Sequence, residues 1–205
     1  VSILPYIGYN PKKGRIKTDD PGAAIDRSFL AHFQVSAADA IAAAVAGILA
    51  AVEDTGAEQE IVAGLSDPAV PRNVTATAGG TAADIGAIQV IVEGTNYADE
   101  AISETLPAFT ADTAGTVEGS KAFKTITKVT IPAHDGTGAT TSIGFGDKLG
   151  LPYKLAHNTV LAAYLNNAKE GTAPTVAVSA LAIEGNTIKL NSALNGSMVD
   201  AYLMV

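Results

Sequence analysis

The period of hydrophobic and polar positions changes near residue 60. Before it, Ala38, Ile41, Val45, Ile48 and Val52 recur at spacings of 3, 4, 3 and 4, which places all five on one stripe of a helix. Ser36 stands where an N-cap belongs, and Asp39 follows near the positive end of the helix dipole. Alanine, the best helix former, fills the segment, and Gly56 can end it. The pattern predicts one Ala-rich α-helix over about 36–54. Its stripe, flanked by Ala42, Ala43, Ala46 and Gly47, is a candidate oligomer seam between copies. An amphipathic helix packed on its own β-domain carries the same pattern.

Beyond residue 60 strand-length runs take over. Ala87 to Val92 is apolar except for Gln89, as in a strand covered on both faces. Phe123, Thr125, Thr127, Val129 and Ile131 fall on one face of a strand, opposite Lys124, Ile126, Lys128 and Thr130. The Thr-rich run 73–77 also suits a strand. Gly94-Thr95-Asn96, Asp135-Gly136-Thr137-Gly138, Gly171-Thr172-Ala173-Pro174, Glu184-Gly185-Asn186 and Asn195-Gly196 read as turns between such runs. The expected fold is mainly β, an antiparallel β-sandwich or barrel over 61–205. An N-terminal arm and the helix precede it over 1–60, and the β pattern reads as self-contained.

The arm differs from both. Pro5, Gly8, Pro11, Gly14, Pro21 and Gly22 break any period, so an extended path is expected. It carries apolar Ile3, Leu4, Tyr6, Ile7 and Tyr9, and then Lys12, Lys13, Arg15 and Lys17. In a chain of formal net charge −8 this cluster reads as a docking strap, with apolar anchors for affinity and charges for register. A solvated charged loop would have the same composition.

Composition narrows the partners. Acidity and scattered basic residues argue against nucleic acid on the folded body. The apolar stretch 40–52 falls short of the ~20 residues that span a bilayer, so no membrane partner is expected. There is no Cys, hence no disulfide and no thiolate metal site. No Trp and few other aromatics leave a Val, Ile, Leu and Ala core, with no exposed aromatic cluster evident for a sugar-binding platform.

Candidate chemistry is thin. His32, His134 and His157 are far apart and lack zinc-ligand spacing. His134-Asp135 with Ser142 or Ser120 could mimic part of a hydrolase relay, but no nucleophile elbow accompanies it. Gly144-Phe145-Gly146 lacks the strand–loop–helix setting of a phosphate cradle. Asp99, Glu100 and Glu104 form a small acidic cluster without an EF-hand pattern, and read as solvated surface. Neither an enzyme nor a cofactor is expected.

Five phrases carry a resemblance. They are Ala69-Val70-Pro71-Arg72-Asn73, Gly94-Thr95-Asn96-Tyr97, Glu104-Thr105-Leu106, Lys121-Ala122-Phe123-Lys124-Thr125-Ile126-Thr127 and Gly146-Asp147-Lys148-Leu149-Gly150-Leu151-Pro152. In this order they resemble virion structural proteins of tailed bacteriophages and prophages of Gram-positive hosts, over roughly 69–155. The resemblance implies a head decoration (capsid cement) protein whose partner is the phage major capsid protein. It implies a place on the capsid exterior after assembly in the host cytoplasm. A homo-oligomer is expected, a trimer by preference. A tail-tube, head-fibre or other minor virion component, or a carbohydrate-binding host-adhesion module, is the alternative.

Overall fold

The computed structural model describes residues 29–205 throughout and three short strands before them. In chain order the strands are β1 (Gly8–Asn10), β2 (Arg15–Lys17), β3 (Ala24–Asp26), β4 (Leu30–Val35), β5 (Ala44–Glu53), β6 (Gln59–Ile61), β7 (Arg72–Gly80), β8 (Ile91–Thr95) and β9 (Ala101–Thr105). They continue as β10 (Gly115–Phe123), β11 (Thr125–Ile131), β12 (Ala139–Gly150), β13 (Val160–Leu165), β14 (Ala168–Lys169), β15 (Thr175–Ala177), β16 (Thr187–Lys189) and β17 (Val199–Met204). Single 3-10 turns at Ala82–Asp84 and Ile183–Gly185 are the only helical elements among the described residues. The fold is mainly β, and every pairing is antiparallel.

The 12-residue β12 organises the body. One edge pairs with β7 along most of its length. The other edge pairs first with β5 and then with β16, so the sheet runs β10-β7-β12-β16-β15 with β5 alongside. Two cores form on it. The first lies against the sheet β6-β11-β8-β9 and buries Ile143 and Phe145 of β12 with Val74, Val92, Phe123 and Ile131. The second lies against β14-β13-β17-β4 and buries Leu149 and Leu151 with Phe33, Val199, Ala201 and Leu203. β1, β2 and β3 form a small separate sheet.

The Ala-rich helix expected over 36–54 is absent: residues 36–43 form a turn and irregular chain, and Ala44–Glu53 is the strand β5. The capping signal makes one turn only: Ser36 Oγ donates to Asp39 Oδ2 at 2.6 Å, and Ala40 N donates to Ser36 O at 2.9 Å. Close approach to β12 then overrides helix propensity. A Cβ on Gly144 would strike the Ala44 carbonyl, and one on Gly47 would strike the Phe145 ring. Small residues here serve strand contact. Two register slips against β12 let consecutive Ile48 and Leu49 both point into the first core, a departure from alternation that mimics helical spacing. Residues 1–60 thus supply β4 to the sheet completed by β17 and β5 to the sheet completed by β12.

The predicted strand 123–131 is two strands. β10 ends at Phe123, Lys124 turns the chain, and β11 belongs to the opposite sheet. A bulge at Thr127 switches the inward set from Ile126 to Val129 and Ile131, which accounts for the imperfect alternation. The strand expected over 87–92 begins only at Ile91, although Val90 and Val92 are buried as the apolar run implies. Four of the five predicted turn phrases fall between strands, whereas Gly94-Thr95-Asn96 ends β8, and only Asn96 opens the turn to β9.

Candidate interaction surface

Polar side chains enter the interior where strands are irregular, because a bulge leaves backbone groups without a ladder partner. Phe145 pairs with Val74 but Leu149 pairs with Arg72, so Gly146, Asp147 and Lys148 oppose Asn73 alone. Arg72, only 1% exposed, fills this gap. Its Nε donates to Gly146 O at 2.7 Å, Nη1 to Ile41 O at 2.8 Å, and Nη2 reaches Asp147 Oδ1 at 3.3 Å. The guanidinium carbon sits 4.6 Å from the Phe145 ring centroid. Burial draws the Arg72 pKa down to about 10, with Asp147 partly opposing, so the group stays charged at neutral pH. Asn73 Oδ1 accepts from Lys148 N at 3.0 Å.

A matching irregularity lies on the other side of β7. Between Glu118 and Ala122, β10 slips register, and the Glu104 carboxylate of β9 takes up the freed donors. Oε1 accepts from Ser120 N at 2.7 Å and Ser120 Oγ at 2.8 Å. Asn96 Oδ1 accepts from Ala98 N and Glu100 N in the turn before β9, and its Nδ2 donates to Glu184 Oε2 at 3.2 Å. The phrases that carry the resemblance therefore meet in space: Pro71-Arg72-Asn73 against Gly146-Asp147-Lys148, and Glu104 against Ser120 and Lys121. Their polar residues hold the fold.

The other sequence candidates separate. The seam Ala38, Ile41, Val45, Ile48 and Val52 does not form a stripe, because no helix carries it. Ala38 is exposed in the turn, Ile41 and Val45 face solvent, Val52 is half-buried, and Ile48 lies inside the first core. Of the docking residues, Ile3, Leu4, Tyr6, Ile7, Lys12 and Lys13 lie outside the described residues. Tyr9, Arg15 and Lys17 fall in β1 and β2, for which only strand pairing is described. The His134 ring bonds Thr141 Oγ1 at 2.8 Å and accepts from Gly86 N, while Ser142 donates to Val45 O and Ser120 to Glu104. The imagined relay is not assembled. In the acidic cluster, Glu104 is buried rather than solvated, Glu100 pairs with Asn96, and Asp99 pairs with Lys124. No group of three or more His, Cys, Asp or Glu is placed to hold a metal among the described residues. No helix among them is long and apolar enough to cross a membrane.

What the sequence did not reveal is a surface at the root of the arm. Phe29 and Val205 exchange backbone hydrogen bonds, joining the start of β4 to the chain end. Phe29 is 56% exposed, Leu30 63% and Leu161 62%. Leu161 is the extra residue of a bulge in β13. With Leu155, Met204 and Val205 it lines a groove of about 460 Å³. Thr159 Oγ1, beside this groove, is buried with no hydrogen-bond partner among the described residues. The sequence signal, apolar residues at the start of β4 and the end of β17, was legible only once the two strands were known to pair. A comparison with protein-family models, with curated proteins and with solved structures finds no match.

Proposed function

We propose that this chain is a non-catalytic structural protein of a tailed-phage virion, a decoration protein that binds the outside of the head and stabilises the shell. The observation that carries this reading is the apolar surface of Phe29, Leu30, Leu161 and Val205 at the point where the arm joins the body. Apolar area of that kind marks contact with another protein. The arm's anchors Tyr6 and Ile7 and its cations Lys12, Lys13, Arg15 and Lys17 extend the same contact. The resemblance of the five phrases gives the partner class, the major capsid protein.

The mechanism is adhesion. Each copy binds assembled shell and not free subunits, so binding shifts the equilibrium toward the shell by mass action. Arm and body engage neighbouring capsid subunits, so the second contact is intramolecular and gains in effective concentration. A homo-oligomer, trimeric by preference, repeats this at a lattice symmetry axis. Co-sedimentation with undecorated heads tests the reading. Tyr6→Ala with Ile7→Ala is expected to weaken binding at any salt, and Lys12→Glu with Lys13→Glu mainly at low salt. Undiminished binding by a chain lacking residues 1–28 and carrying Leu161→Ser would refute it, as would antibody label confined to the tail of intact virions.

A further inference from the structure

We propose that the outer face of β13, β17 and β4 holds a saccharide-binding site built from Tyr164, Asn167, Asp200 and Tyr202. It does not depend on attachment to a head. Strand alternation makes the site. Ala163, Val199, Ala201, Leu203, Phe33 and Val35 point into the second core, so Tyr164, Asp200, Tyr202, His32 and Gln34 point outward. A cavity of about 330 Å³ lies there, lined by Tyr164, Asn167, Asp200 and Tyr202, at the lower end of the ~300–1,000 Å³ usual for small-molecule sites.

The parts are fixed before any ligand arrives. The Tyr164 and Tyr202 rings stand at 89° with centroids 5.9 Å apart, a corner of two walls. The His32 ring stacks on Tyr202 at 4.8 Å and 8°, backing one wall. Asp200, 7% exposed, is held by His32 Nε2 at 2.7 Å and Gln34 Nε2 at 2.9 Å, both on Oδ1. Oδ2 bonds no side chain among the described residues. Asn167 sits in the two-residue β13–β14 hairpin, where Asn166 and Asn167 both have positive φ, 51° and 61°. Such a turn is rigid, and it holds the carboxamide at the rim.

The inventory selects the ligand. A pyranose offers a C–H face to an aromatic ring and hydroxyls that both donate and accept. The site offers two ring walls, an acceptor-only carboxylate, a carboxamide with both roles, and two phenol hydroxyls. An anion is repelled by Asp200. A flat aromatic ligand would stack on one wall and leave the polar groups unpaired. A quaternary ammonium would use the rings and the carboxylate but leave the donors idle. The chain has no Trp and six Tyr, and two of the six meet here.

The full-length protein is tested on an array of defined mono- and oligosaccharides, and the strongest monosaccharide is then titrated by calorimetry, with tetramethylammonium titrated in parallel. Selective glycan binding is expected. Asp200→Asn and Asn167→Gly are each expected to weaken it about tenfold or more, since each removes hydrogen bonds the sugar would otherwise make. Asn167→Gly suits the positive φ, so the hairpin is retained. Tyr202→Ala is expected to abolish binding, and its thermal melt checks that it folds. Leu181→Ser, a change at an exposed loop residue outside the cavity, should leave binding unchanged. Absence of binding to any glycan, equal binding by Asp200→Asn and Asn167→Gly, or binding of tetramethylammonium alone would each overturn the site.

Discussion

Buried polar residues hold irregular backbone beside both cores on β12, Asn186 doing so for the Leu155 and Ser179 amides at the second, but the second also carries an outward polar and aromatic cluster. Around the first core Arg72, Asn73, Asn96 and Glu104 are buried, and each pairs with backbone freed by a bulge or a turn. Around the second, the sheet β14-β13-β17-β4 keeps straight alternation along β4 and β17 and turns its polar set outward, where Asp200 and two tyrosines meet. A conspicuous polar phrase in a β-protein can thus be a repair of the ladder. Plain alternation, with nothing that looks like a motif, is what builds an open face.

The comparison breaks most severely if the N-terminal strands are removed. A chain beginning at residue 61 loses β5 from β12 and β4 from β17, and with them Ile48 and Leu49 of the first core and Phe33 and Val35 of the second. It is expected to lack a cooperative thermal transition. A sharp melt would restore the self-contained reading of 61–205.

Next in size is Arg72→Ala, which opens a cavity and leaves the Gly146 and Ile41 carbonyls and the Asp147 carboxylate without their cation. A loss of about 3–5 kcal/mol is expected, measured by urea denaturation. Glu104→Ala orphans the Ser120 and Lys121 amides and should cost about 1–3 kcal/mol. Against these, Leu161→Ser on the second region's surface should stay within about 0.5 kcal/mol, because its side chain is largely in water. A Glu104→Ala loss no larger than that of Leu161→Ser would erase the contrast between the regions.

The same contrast explains what the sequence could convey. Turns were legible because Gly, Asn and Asp mark positive φ and side-chain-to-backbone bonds, as Gly196 and Asn96 do. The antiparallel β character after residue 60 was legible from strand-length runs. The segment 36–54 was not, because alanine's local preference and bulge-altered spacing both imitate a helix while β12 dictates a strand. The open face was not legible either. Val199-Asp200-Ala201-Tyr202-Leu203-Met204 alternates cleanly, but Tyr164 and His32 are distant in sequence and meet Tyr202 only because β17 pairs with β13 on one side and β4 on the other.

The smallest expected effect belongs to His134, and it tests whether first-core polar groups are structural. The ring is 8% exposed and stacks near Phe109 at 5.9 Å. Gly86 N donates to Nδ1 at 3.2 Å, so the neutral ring carries its proton on Nε2 and donates to Thr141 Oγ1 at 2.8 Å. A second proton would set Nδ1–H against the Gly86 N–H. Burial holds the His134 pKa below its usual 6.5, and Asp54 and Asp135 only partly offset this. The unfolded chain therefore takes up a proton near pH 6.5 while the folded chain resists it. The contribution to stability is complete above that pH and declines as pH falls below it, until the folded group itself titrates. Thermal melts from pH 7.5 to 5 should show Tm falling on acidification, and His134→Gln, which does not titrate, should flatten that part of the slope. An identical slope in the variant would place the pH dependence elsewhere and leave the buried ring with no role in acid stability.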